Sequence, residues 1–202
     1  MSNQKLATVQ VLMSFLVGIA VTYSIAIPEQ KISDIHWATT PRKISQFDLV
    51  IESGTLTSQS MLGRWNIILF GYLHCPDICP TGLMRMSKLK KQILGTALED
   101  EVQFIFVSVD PKRDSTKALK QYVHYFNSDF LGATGEHQQL KKFTGELGVH
   151  YEIVDDNSEY NVAHSVHFSL IDSDGFYRGR IQPGFNTEEL IRELKTTIEK
   201  EI

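Results

Sequence analysis

"NIILFGYLHCPDICPTGLMRMSKLKKQILGTAL", residues 66–98, decides the fold. Its first part, Asn66 to Leu73, is a short and almost continuous apolar run. A strand covered on both faces reads this way, as in a parallel α/β sheet. From Pro80 onward the apolar residues Leu83, Met86, Leu89, Ile93 and Ala97 recur at helical spacing. Proline fits the first turn of such a helix, where its missing N–H costs no hydrogen bond. Between strand and helix stand Cys75 and Cys79, the 2 cysteines of the 202-residue chain. In an open α/β sheet, functional groups gather at the carboxyl ends of strands.

Outward from this unit the same alternation continues. "VQFIFVSVD" (102–110) is a second buried strand, and "DSTKALKQYVHYF" (114–126) begins with a capping signal and reads as a helix. "GEHQQLKKFTGELG" (135–148) reads as another helix, closed by Gly148. "SVHFSLID" and "FYRGRIQ" flank Asp174-Gly175 and form a hairpin. "NTEELIRELKTTIEKEI" (186–202) is a terminal amphipathic helix. Upstream, "FDLVIESG" (47–54) is a strand ended by Gly54. The order predicts a thioredoxin-like α/β fold: a central, mostly parallel sheet, an N-terminal strand extension, and a C-terminal hairpin plus helix.

The N-terminus is different. No charged residue lies between Lys5 and Glu29, and a helix of about 20 apolar residues crosses a bilayer. Residues 1–28 are therefore expected to be a transmembrane anchor, with a cleaved signal peptide ending near Ser24–Ala26 as the alternative. Lys5 orients the N-terminus to the cytoplasm and the domain to the exported, periplasmic-type side. Residues 29–44 read as a linker, and the domain as 45–202. Export permits a disulfide. The formal net charge of −4 gives no footprint for nucleic acid, and a monomer is the default.

Several chemistries suit the two cysteines. A disulfide closing so short a loop removes little chain entropy, so an inert staple gains little. Thiol–disulfide exchange is open, with a spacing one residue longer than C-x-x-C. So is a soft metal site: two thiolates and an imidazole suit copper(I), whereas structural zinc wants a fourth ligand. Cys79, at the helix start, is expected to be the easier thiolate, and Asp77 opposes ionisation of both. No T-x-x-C setting of a peroxidatic cysteine surrounds Cys75.

The chain has 7 histidines. His36 falls in the linker, His124 and His137 in helices, and His150 near the start of a short strand. His74 adjoins Cys75 but faces away from it on an extended chain. In "NVAHSVHFSLID" (161–172), Val166, Phe168 and Leu170 line a core face, which leaves His167 half exposed. His164 precedes that alternation and reads as a loop residue able to reach the cysteines. Periodicity sets His164 ahead of His167 without deciding between them. "DPKRD" (110–114) carries two readings. It is a strand end followed by a helix cap at Asp114 or Ser115, or it brings Asp110 beside the cysteine loop.

"FGYLHCPDICPTGL", "FVSVDPKRDS", "LGATGEHQQL" and "HSVHFSLIDSDG" together resemble the Sco (SenC/PrrC-type) family, from about Phe47 to the last helix. The resemblance implies a membrane-tethered, thioredoxin-like copper chaperone for cytochrome c oxidase assembly, with oxidase subunit II as partner. It implies Cys75, Cys79 and His164 as the copper ligands, the two cysteines also being a possible redox pair and disulfide. The family's histidine follows an aspartate; here Ala163 stands in that place, so no carboxylate is at hand to support His164. His167 falls where the family has an apolar residue. The alternative functions are a membrane-anchored thiol–disulfide reductase, which needs the cysteines but not His164, and a redox or copper sensor.

Overall fold

All seven residues of Trp65–Gly71 are buried, and the rest of the molecule is arranged around them. The computed structural model describes Met13 and residues 33–156 and 159–200. In chain order its elements are β1 (Ile35–Lys43), β2 (Asp48–Ile51), β3 (Gly54–Thr57), β4 (Trp65–Gly71), α1 (Ile78–Ile93), β5 (Val102–Ser108) and α2 (Thr116–Phe126). They continue with β6 (Leu131–Thr134), α3 (His137–Glu146), β7 (Tyr151–Asp156), β8 (Glu159–His164), β9 (Phe168–Ile171), β10 (Phe176–Ile181) and α4 (Thr187–Ile198).

Successive side chains of a strand point to opposite faces, and β4 uses both. Trp65, Ile67 and Leu69 enter one core with Leu83 and Met86 of α1, Leu119 of α2 and Leu190 of α4. Ile68 and Phe70 enter the other, with Leu140 and Phe143 of α3. Two-sided cover is why the sequence here is apolar without alternation. The sheet has eight strands in the order β1-β10-β9-β4-β5-β6-β2-β3. Its centre, β4-β5-β6, is parallel, with antiparallel strands on both flanks. This is the expected thioredoxin-like α/β arrangement. β7 and β8 form a second, two-stranded sheet.

The C-terminal hairpin turns where expected. Gly175 takes φ +81, a conformation glycine adopts without strain. The carboxylate of Asp172 accepts the backbone N–H groups of Asp174 and Phe176 at 3.1 and 2.8 Å. Helix α1 ends at Ile93, so Ala97 lies beyond it, exposed in a turn.

The N-terminal boundary differs from expectation. The globular unit begins at Asp34, and residues 35–43 are not linker but strand β1, antiparallel to β10. The carbonyl of Asp34 accepts Gln182 N–H at 3.1 Å, and its carboxylate accepts Asn186 N–H at 2.9 Å. Trp37 packs edge-on against Trp65 with 6.4 Å between ring centres. β1 escaped periodicity because it is the sheet's outer strand. Of its nine residues only Ile35 is buried. Pro41 falls inside the register shift between Trp37 and Arg42, where an edge strand tolerates proline. The expected transmembrane anchor, residues 1–28, lies outside the described residues except for Met13. Among the described residues no helix is long and apolar enough to cross a membrane.

Candidate metal centre

β4 ends at Gly71, and the chain then runs through Tyr72–Asp77 into α1. The helix begins at Ile78, so Cys79 lies within its first turn rather than ahead of it. The two thiols have different surroundings. Cys79 is fully buried, with 0% exposure, and Cys75 is half-buried. The Cys79 N–H, one of the helix's free N-terminal amides, donates to Cys75 Sγ at 3.4 Å. The helix terminus therefore serves Cys75. Burial foremost, and the neighbouring Cys75 sulfur, push the Cys79 thiol far above its ordinary range. Cys79 was expected to be the easier thiolate; desolvation of a fully buried sulfur outweighs the helix end.

Gly71 makes room for that sulfur. A Cβ at position 71 would overlap Cys79 Sγ and lie 2.8 Å from Phe106 Cε2. The glycine is needed for close approach, since nothing larger than hydrogen fits between strand and thiol.

The third side chain comes from far along the chain. His164 is the last residue of β8, not a loop residue. In β8 Tyr160, Val162 and His164 share one face, and Val162 is 5% exposed. The alternation in "YNVAH" was therefore present in the sequence, but spread over too few residues to announce a strand. His164 Nε2 lies 3.7 Å from Cys79 Sγ. Its Nδ1 is 2.8 Å from the Ser165 carbonyl, which can only accept. The proton is thus on Nδ1, and Nε2 presents its lone pair to the cysteines. That carbonyl supplies the support that Ala163 lacks. Burial also lowers the His164 pKa, which favours the neutral ring a metal requires.

One donor atom from each of Cys75, Cys79 and His164 lies within 4.8 Å of the others, and among the described residues this is the group able to hold a metal. Thiolate and imidazole bonds of about 2.0 to 2.3 Å place the donors of a three-coordinate site roughly 3.5 to 4 Å apart, so little movement is needed. Two sulfurs and one nitrogen, without a fourth donor in the group, suit copper(I) better than structural zinc. His167 is not brought in: it is half-buried with Nε2 unpartnered. His74 is also outside the group; its Nδ1 lies 3.9 Å from Asp114.

The surroundings are organised by residues 110–114. Ser115 caps α2, its side chain accepting Ala118 N–H at 3.3 Å. Asp114 does something else. Buried at 1% exposure, it accepts the Leu73 N–H at 2.9 Å and the Ser108 hydroxyl at 2.6 Å through Oδ2. It pins the start of the cysteine loop to the end of β5, and burial raises its pKa. Asp114→Ala leaves both donors without an acceptor. It is expected to lower the unfolding free energy by about 2 to 3 kcal/mol, measured by urea denaturation, with Asp114→Asn losing less because one oxygen remains.

A groove of about 420 Å³ opens beside His164, lined by His150, Tyr151, Glu152, Ala163, His164 and Ser165. It leaves the histidine side of the group accessible to a visiting molecule, while Cys79 stays closed off.

The chain is similar to known proteins over most of its length. The family model described as SCO1/SenC matches residues 37–199. An SCO2-like protein of Rickettsia conorii is 32% identical over 194 residues, covering 92% of this chain and 94% of its own. The structure of Bradyrhizobium japonicum ScoI with copper bound superposes with a TM-score of 0.68 at 30% identity, over 77% of this chain and 99% of its own. That of yeast Sco1 with copper bound gives 0.70 at 27% identity, over 79% and 90%. With the family match running from within β1 to the end of the last helix and a relative 32% identical over 92% of the chain, this chain belongs to the SCO1/SenC family.

Proposed function

We propose that this protein binds copper(I) through Cys75, Cys79 and His164 and serves as a copper chaperone in assembly of cytochrome c oxidase, handing the metal to the copper centre of subunit II. The observation that carries the reading is the meeting of two sulfurs and one imidazole nitrogen, the last from 85 residues away. Family membership supports it, as do the two copper-bound relatives. The apolar run at residues 6–28 would tether the domain on the exported side of a membrane.

The unequal burial of the three groups gives transfer a direction. Cys79 is closed off and holds on from within, while Cys75 and His164 are half-buried. Thiolates of a receiving protein can therefore replace His164 and then Cys75, one ligand at a time, with Cys79 the last to let go. The neutral His164 ring is the weakest of the three donors for a soft ion and the natural first to leave.

Anaerobic copper(I) titration of the intact chain against a chromophoric chelator tests the reading. One copper per chain is expected. His164→Ala should weaken binding by at least about tenfold, near 1.4 kcal/mol, and His167→Ala should leave it unchanged. If wild type holds copper no better than a simple dithiol and neither histidine matters, the chaperone reading fails. The cysteines are then a redox couple, as the reductase alternative requires.

A further inference from the structure

Asp110 is fully buried and its two carboxylate oxygens have different partners. Oδ2 takes the Arg113 guanidinium, and Oδ1 takes the Tyr160 hydroxyl at 2.6 Å. The guanidinium of Arg113 lies 3.9 Å from the centre of the Tyr160 ring and 5.7 Å from that of Tyr72. Tyr72 stands at the start of the cysteine loop, and its ring meets His164 edge-on at 5.9 Å. Tyr160 stands on β8, on the same face as His164. One planar cation, fixed by one buried carboxylate, thus touches an aromatic ring from each of the two segments that carry the donor atoms.

The arm bearing His164 needs such a brace. β7–β8 is a two-stranded sheet separate from the eight-stranded one, so no ladder from the main sheet sets its position, and a two-stranded ribbon is only marginally stable alone. Among the described residues its other ties include Tyr151, Ile153 and Val162 against the core, the Tyr151–His137 contact and the Lys112–Asp155 ion pair, while the His150–Ser165 hydrogen bonds only close the ribbon on itself. The brace is the tie that also reaches the cysteine loop. We propose that Asp110, Arg113 and Tyr160 are positioning residues that hold His164 in register with Cys75 and Cys79. The proposal rests on the copper reading above. Arg113 suits the task because its rigid plane stacks on rings while its N–H groups meet the carboxylate; a lysine offers only a point charge.

The test is anaerobic copper(I) competition on the intact chain for Tyr160→Phe and Arg113→Lys, each alone and combined with His164→Ala, with the thermal midpoint recorded for each. Tyr160→Phe removes one hydroxyl and keeps the ring. Each single variant is expected to weaken copper binding roughly 3- to 10-fold, somewhat below the 10- to 100-fold typical of groups bonded directly to a ligand. Neither should weaken it further once His164 is alanine, because the brace then has nothing to position. Equal losses with and without His164 would overturn the proposal, since the brace would then be general scaffolding. So would unchanged affinity in both single variants. A wild-type affinity indifferent to His164→Ala would instead sink the copper reading itself, and this proposal with it.

Discussion

Cys79→Ser is expected to lower copper(I) affinity by more than about 100-fold, beyond the loss that follows removal of an outer partner of a metal ligand. A serine hydroxyl is a hard donor that stays protonated, and copper(I) prefers soft thiolate. The site is closed around the buried Cys79 sulfur, so no water takes its place easily. The same burial has a second consequence. Because the Cys79 thiol is pushed up, it carries its proton at neutral pH in the free protein, and binding must displace that proton. Apparent affinity in wild type should therefore rise with pH by about tenfold per unit for each proton released. Competition titrations at several pH values measure both effects. A Cys79→Ser variant within threefold of wild type, or a flat pH profile, would remove Cys79 from the ligand set.

Gly71→Ala should damage fold and site together. The nearest atoms to the new Cβ belong to the Cys79 sulfur and the Phe106 ring, and neither is the loose end of a flexible side chain. Phe106 is 1% exposed, and Cys79 is built into the first turn of α1. Gly71 cannot retreat, since its carbonyl accepts Val109 N–H at 2.9 Å. Overpacking of this kind costs about 1 to 3 kcal/mol, and displacement of the sulfur should weaken copper binding at least about tenfold. Urea denaturation and copper competition measure the two losses. In the double variant Gly71→Ala/Cys79→Ala the clash with sulfur is gone, so the two stability costs should not add. A Gly71→Ala protein with wild-type stability and wild-type affinity would refute the close-approach argument.

Much of this molecule was legible in its sequence. The apolar run of β4, the helical spacing of Leu83, Met86, Leu89 and Ile93, and the Asp174-Gly175 turn are local signals. Each reports burial of a segment against its own neighbours, which is what periodicity measures. The cysteines between strand and helix, with the motifs around them, carried the family and a soft-metal chemistry as well.

What periodicity missed is what depends on contact at a distance. β1 is a polar edge strand whose partner, β10, lies more than a hundred residues away, and β8 spends its short alternation on a detached ribbon. The same ribbon, braced by residues 110–114, brings His164 to the cysteines and leaves His167 aside. Periodicity set His164 ahead of His167 without deciding between them, and it is the packing of Tyr160 and Val162 that carries His164 to the cysteines. The upward push on the Cys79 thiol was likewise beyond the sequence. A helix N-terminus is visible in a string of residues, but the desolvation that overrides it at Cys79 comes from Gly71, Phe106 and the strands they belong to. The sequence by itself determined the central strands, the helices and the kind of donor atoms. The tertiary structure decided which donors meet and in what protonation state, because burial and distance are properties of the assembled chain.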